Sequence, residues 1–146
     1  MLAFCQLVAV LCCILFAGAA IYINLVEHPA RMGCDTKTAL TVWAPSYKKA
    51  TVMQAPLAIV SFLAGVGAWL LGGGLPWLIG AVLIGLVVPF TFIAIMPTNH
   101  QLLAPGRDPS SAETRSLLEQ WGRLHALRSV LSFLASIVYL VSLIGA

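Results

Sequence analysis

The sequence predicts an all-α integral membrane protein folded as a four-helix up-down bundle, and three observations predict it. Of its 146 residues, 60% are hydrophobic and 9% charged, with a mean hydropathy of +0.97. Every Asp, Glu, Lys and Arg falls in one of two windows. The first holds Glu27, Arg31, Asp35, Lys37, Lys48 and Lys49; the second holds Arg107, Asp108, Glu113, Arg115, Glu119, Arg123 and Arg128. Residues 1–26, 50–106 and 129–146 carry no charge, which a water-soluble domain of this size cannot manage while keeping a hydrated surface. Finally, four apolar stretches reach or approach the roughly 20 residues that a hydrocarbon core of about 30 Å requires at 1.5 Å per residue. The chain reads as one membrane domain over residues 1–146.

The first helix is expected over about residues 2–26, followed by a polar loop over 27–52. Its apolar run ends in Ala17-Gly18-Ala19-Ala20, as a signal peptide would, but it lacks a positively charged n-region and is read as an uncleaved anchor. The second helix is expected over about 53–71 and the third over 75–96. Gly72-Gly73-Gly74-Leu75-Pro76 is the one break in the long charge-free stretch and makes them a tight hairpin. Pro89 removes a backbone donor and crowds the Gly85 carbonyl, so the third helix should kink there.

A polar loop over 97–110 leads to the fourth helix, over 111–144. Pro109-Ser110-Ser111-Ala112-Glu113 offers a Ser-x-x-Glu capping box at its start. That helix begins as a polar stalk. Only 18 residues follow Arg128, about 27 Å of helix, so Arg128 and His125 are expected at or just inside the hydrocarbon boundary.

These features exclude several classes. A water-soluble enzyme and a disordered chain are incompatible with the apolar runs, and no basic stripe tracks a nucleic acid. Cys5, Cys12 and Cys13 lie in the first apolar run and Cys34 beyond it; they form no disulfide framework and are expected as buried, unpaired thiols. Small residues paired at Ser61 and Gly65, Ala64 and Ala68, and Ser132 and Ser136 mark close helix approaches. Periodicity does not distinguish contacts within a bundle from contacts between bundles, which leaves room for a homo-oligomer. With four spans both charged windows share one side, and eight Lys and Arg against none place that side in the cytoplasm, with both termini extracytoplasmic.

The unusual polar residues gather at the charged end. Helix one closes with Tyr22, Asn24, Glu27, His28 and Pro29; helix three carries Thr91, Pro97, Thr98, Asn99 and His100; helix four carries Trp121, His125 and Arg128 at spacings of four and three. Asn24 and His28 share a helix face. Thr91 is placed to bond a freed carbonyl or a ligand. Plain structural roles are also open. Glu27 and Arg128 can form an interhelical ion pair, as a charge at membrane depth requires. His28 can sit in interfacial water, His100 in a solvated loop, Trp121 as an interfacial anchor, and Pro97-Thr98-Asn99 can be a helix stop. Ionisable residues at membrane depth are nevertheless functional candidates by default.

The combination of Asn24-x-x-Glu27-His28-Pro29, Pro89-Phe-Thr91 with Pro97-Thr98-Asn99, and Trp121-x-x-x-His125-x-x-Arg128 resembles the anthrone-oxygenase-like family of small four-helix membrane proteins. The third motif is the most specific. The resemblance implies oxidation of an anthrone-like ring compound by dioxygen, with no substrate transferred by architecture alone. Such chemistry needs a base, an oxyanion partner and an apolar pocket. His125 or Glu27 would serve as base, Arg128, Asn99 or Asn24 would hold the oxyanion, and Trp121 and Tyr22 would stack on a flat ring. A metal-assisted version would draw on His28, Glu27 and His125 as a two-His, one-carboxylate set for iron, with copper or haem as variants. The spacing is not diagnostic for any of these metals. A non-catalytic reading also stands: a membrane protein binding a lipid or small hydrophobic molecule, or an accessory subunit. An open pocket lined by Asn24, His28, Asn99, His125 and Arg128 would favour a ligand, and a closed salt-bridged plug would favour a scaffold.

Overall fold

The computed structural model describes residues 1–145. Four helices are long and apolar enough to cross a membrane: α1 (Leu2–Met32), α2 (Thr36–Gly73), α3 (Leu75–Leu102) and α4 (Ala112–Ile144). No strand occurs among the described residues. α1 and α3 each pack against both α2 and α4, which makes a square up-down bundle and the all-α class expected from the sequence.

The helices bury their small and polar stripes and turn large apolar side chains outward. α1 buries Gln6, Ala9, Val10, Cys13, Phe16, Ala17 and Ala20, at helical spacing, while Leu7, Leu11 and Leu15 are exposed. α4 buries Ser129, Ser132, Ala135, Ser136 and Tyr139 and exposes Phe133, Ile137 and Val141. Lipid tails are as apolar as leucine, so close backbone approach and interhelical hydrogen bonds hold such a bundle together. Ser61, Gly65, Ala68, Ser132 and Ser136 all face inward. Ser61 Oγ donates to the Ala9 carbonyl at 2.9 Å, and Cys13 Sγ contacts Ser136 Oγ at 3.4 Å.

At the end that holds the α2–α3 turn, Tyr139 is the keystone. Its ring stacks on Trp77 with centroids 5.2 Å apart, its hydroxyl donates to the Ser61 carbonyl at 3.3 Å, and it fits between Gly65 and Gly80. A Cβ on Gly80 would lie 2.6 Å from Tyr139 Cδ1. Gly80→Val is therefore expected to destabilise the bundle by about 1–3 kcal/mol, read as a lower Tm in detergent; an unchanged Tm would contradict this packing.

Several boundaries differ from the sequence expectation. The loop expected over 27–52 is mostly helix, because α1 continues to Met32 and α2 starts at Thr36. Asp35 caps α2, accepting from the Thr38 backbone N–H at 3.0 Å and the Thr38 hydroxyl at 2.7 Å; both bonds hold its carboxyl below the usual carboxylate range. Two prolines, Pro45 and Pro56, ride inside α2. α3 does not stop at Pro97 but runs to Leu102, the proline sitting in the first turn of its last α-helical segment, where no N–H is required. The cap of α4 is Ser111, whose Oγ accepts from Thr114 N–H at 3.1 Å. Ser110 does not fill that position, and Glu113 turns instead to Arg107 at 3.3 Å. All four cysteines are free, yet Cys34 is exposed where a buried thiol was expected.

Candidate functional site

Two π-helical turns face the charged end of the bundle, at Ile23–Glu27 in α1 and Thr91–Ile95 in α3. Such a turn inserts a residue into the helical register and re-aims the side chains around it. In α1 it points Asn24 at α4. Asn24 Nδ2 donates to the Gly122 carbonyl at 3.0 Å, so its Oδ1 is left to accept. That oxygen accepts from Ser129 Oγ at 2.5 Å and meets His125 Nδ1 at 2.7 Å. In the neutral ring an acceptor against Nδ1 places the proton there and leaves Nε2 its lone pair.

His125 is 1% exposed and belongs to an aromatic stack. Trp121 lies on it at 4.8 Å and 29°, His28 meets Trp121 at 5.1 Å with its ring tilted by 51°, and Trp43 meets Trp121 edge-on at 5.9 Å and stacks on Tyr47. Gly122 lets α1 approach this stack, since a Cβ there would fall 2.6 Å from His28 Nε2.

The charges pair differently from expectation. Glu27 is not the partner of Arg128; it pairs with Arg31, one turn along its own helix, and accepts from Ser46 of α2. Arg31, which falls in the polar loop expected over 27–52, is 5% exposed and its guanidinium lies 5.9 Å from the Trp121 ring centroid. Arg128 donates to Gln54 Oε1 at 2.9 Å and lies over Phe16 at 5.4 Å. Among the described residues no carboxylate pairs with it. Its Nε, together with Arg31 Nε and Nη1, Gln54 Nε2 and Trp121 Nε1, is a buried donor without a partner. The charged end is therefore rich in unmet donors, while Asn99 Oδ1 is an unmet acceptor and His28 Nδ1 a ring nitrogen without a partner.

The space around these groups is divided in three. An apolar cavity of about 140 Å³ runs along Phe16, Ala58, Val87, Val88 and Ile95 and ends on Thr91, Asn99, Trp121 and Arg128. A chamber of about 10 Å³ adjoins it, walled by Arg31, Gln54, Trp121, His125 and Arg128; that is room for about one water molecule. Cavity and chamber share Tyr47, Thr51, Trp121 and Arg128. Asn24 and His28 instead line a separate open groove between α1 and α4.

The sequence therefore placed Thr91, Asn99, Trp121, His125 and Arg128 at one end of the bundle, and they do meet around the cavity and chamber. Asn24 acts behind His125. Tyr22 is 54% exposed and reaches none of these spaces, because the helix turns it outward. Thr91 bonds the Val87 carbonyl at 2.7 Å. Trp121 is buried instead of anchoring at the interface, and His100 is exposed at the end of α3. Glu27, His28 and His125 do not converge, and among the described residues no three His, Cys, Asp or Glu side chains form a metal-binding group. Trp43, Ser46, Tyr47 and Gln54 were missed. All four lie on the half of α2 read as a loop or at its start, and their signal was a spacing of three to four residues across Pro45.

Four membrane-length helices that enclose an apolar cavity ending on a guanidinium and an indole, with an oriented histidine in the adjoining chamber, define a small four-helix membrane protein. The family model described as anthrone oxygenase matches residues 43–138, and the chain belongs to the anthrone oxygenase family. Anthrone oxygenase tpcL of Aspergillus fumigatus is 40% identical over 70 residues, which cover 46% of this chain and 44% of that protein. The anthrone oxygenase of Claviceps purpurea is 25% identical over 139 residues, covering 86% of this chain and 80% of that one. No solved structure matches the chain. The family match includes Gln54, Thr91, Asn99, Trp121, His125 and Arg128; Asn24, Glu27, His28 and Arg31 precede it.

Proposed function

We propose that this protein is a membrane-embedded oxygenase that uses dioxygen to oxidise a hydrophobic aromatic or polyketide-like ring compound of the anthrone type. The observation that carries the reading is the cavity of about 140 Å³ that ends on Asn99, Trp121 and Arg128 beside the oriented His125. An anthrone carries an acidic CH₂ between two aromatic rings, opposite its carbonyl. With the carbonyl turned to Arg128, loss of a CH₂ proton gives an enolate whose oxygen charge the guanidinium stabilises. His125 Nε2 is the base, acting through one water in the chamber. The enolate passes one electron to dioxygen, and the resulting radical and superoxide join in a C–O bond. The peroxide takes up the proton held by His125. Loss of the remaining C–H proton with cleavage of the O–O bond then leaves a second carbonyl and water. One anthrone and one dioxygen thus give one anthraquinone and one water.

In this reading Asn24 fixes the His125 tautomer, and Trp121 forms the wall that the substrate cavity shares with the chamber. His28 and Glu27 support that arrangement from behind, His28 against Trp121 and Glu27 through Arg31. The concentration of Lys and Arg at one end supports placing that end in the cytoplasm and both termini outside; a membrane-impermeant maleimide should then label exposed Cys34 from the cytoplasmic face alone. The deciding experiment is oxygen uptake by the protein in phosphatidylcholine liposomes supplied with anthrone and hydroxylated anthrones. Quinone formation and oxygen uptake should match one to one and exceed the rate of empty liposomes. A rate equal to that of empty liposomes for every compound would sink the enzymatic reading. Retention of the compounds without turnover would instead mark a binding protein, a reading that the unpaired Arg128 at the cavity end also suits.

A further inference from the structure

The cavity is too small for the molecule it is proposed to act on. About 140 Å³ is close to the volume of a protein cavity that holds a single benzene ring, whereas an anthrone has three fused rings. The missing space lies next door. A second apolar hollow of about 380 Å³, lined by Ala58, Ile59, Phe62, Val82, Gly85, Leu86, Val88 and Pro89, opens between α2 and α3 on the outer face of the bundle. Ala58 and Val88 line both spaces, so a wall one side chain thick separates them.

The depth of this hollow indicates what enters it. Gly85 to Pro89 lie 10–14 residues from Leu75, and Ala58 to Phe62 lie 11–15 residues from Gly73. At 1.5 Å per residue both are roughly 15–22 Å from the α2–α3 turn, near the middle of a hydrocarbon layer of about 30 Å. Residues 50–106 carry no charge, so this face meets lipid tails.

The wall is also built to yield. Pro89 offers no N–H to the Gly85 carbonyl, regular α-helix is interrupted at Leu86, and a π-helical turn follows at Thr91–Ile95. Phe62 lies against Gly85, where a Cβ would come within 2.7 Å of its ring. A bulkier residue at position 85 would push that ring out of the hollow.

We infer that the α2–α3 hollow is a lateral entrance from the bilayer, with Ala58 and Val88 as its threshold. A flat, apolar, multi-ring compound enters edge-on from the hydrocarbon, seats its polar ring against Arg128, and leaves its remaining rings in the hollow. The inference rests on the cavity being the ligand site of the proposed reaction, but its test does not require turnover.

The probe is 3-phenyl-3-(trifluoromethyl)diazirine, a small aromatic carbene precursor, added to protein in phosphatidylcholine liposomes, irradiated briefly and mapped by mass spectrometry. Wild-type protein is expected to carry adducts on cavity residues such as Tyr47 and Met96. Val88→Trp, and Ala58→Phe from the opposite wall, should each lower cavity labelling at least fivefold while labelling of exposed Phe133 and Val141 stays unchanged, with a Tm close to that of the wild type reporting an intact fold. Val88→Ala, which widens the threshold, should raise early cavity labelling about twofold to threefold. Ala126→Trp, in the groove between α1 and α4, should leave it unchanged. Overturning results are an unlabelled cavity in wild-type protein, labelling that survives both blocking variants, or labelling lost in Ala126→Trp alone. Failure of oxygen uptake with normal labelling would remove the proposed reaction and leave the entrance standing.

Discussion

His125→Ala should lower anthrone turnover by about 10²- to 10⁴-fold, the usual contribution of a positioned general base. Nε2 is the only ring nitrogen left to act, because Asn24 Oδ1 holds Nδ1 at 2.7 Å. The loss should appear in kcat more than in KM, since the cavity wall is made by other residues. Asn24→Leu provides the graded comparison. It leaves the imidazole in place but frees its tautomer and orientation, so turnover should fall by less than in His125→Ala. Both variants should retain intrinsic tryptophan fluorescence close to that of the wild type if the stack around Trp121 survives. Turnover within threefold of wild type in His125→Ala would remove this residue from the reaction, and Glu27, engaged with Arg31 and Ser46, would not replace it.

Arg128→Met is expected to separate function from stability. A guanidinium at membrane depth without a carboxylate partner is costly to bury, and methionine fills similar apolar volume without that cost. Tm should therefore hold or rise, in keeping with the behaviour of buried charges replaced by packed apolar residues. Turnover should fall about 10²- to 10³-fold, the range for removing an oxyanion donor. Arg128→Lys should recover only part of it, because an ammonium lacks the planar fork that reaches both Gln54 Oε1 and a substrate oxygen. A purely structural Arg128 predicts the reverse pattern, lost stability with turnover surviving in whatever folds. Thermal melts and oxygen uptake on the same preparations decide between them.

The fold was legible because membrane solubility is written in composition. Gaps between the thirteen charges located four spans, the glycine run located the hairpin, and Pro89 located the irregular part of α3. Helix ends were less legible, since a helix that leaves the membrane changes its composition without changing its conformation. Lys37, Lys48 and Lys49 made residues 36–52 look like a loop, yet their alternation with Ala39, Trp43 and Ala50 is that of a helix half in water. Losing that half of α2 lost Trp43, Ser46 and Tyr47 from the site, whereas Gln54 lay in the helix expected from about residue 53 and was passed over there as part of an apolar span. Partners were harder to read than places. Glu27 and Arg128 both lie at the charged end, but Glu27 pairs with Arg31 at the i,i+4 spacing, a partner hidden by reading residues 27–52 as a loop, and no periodicity rule anticipates its contact with Ser46 of α2. Tyr22 was misassigned because a residue near a cluster in sequence can sit on the opposite side of the helix.

The Tyr139 clamp between Gly65 and Gly80 divides the molecule into a fixed end and a compliant end. Close-packed glycines around Tyr139 secure the half near the α2–α3 turn, whereas the buried guanidiniums, the in-helix prolines Pro45 and Pro89 and most of the unmet donors lie in the half that holds the cavity. Heating or detergent should thus erase ligand recognition before it dissolves the bundle. Preparations can keep full helicity and a sharp elution peak after their activity has gone, so gentle lipid-like detergents matter more here than total secondary structure reveals.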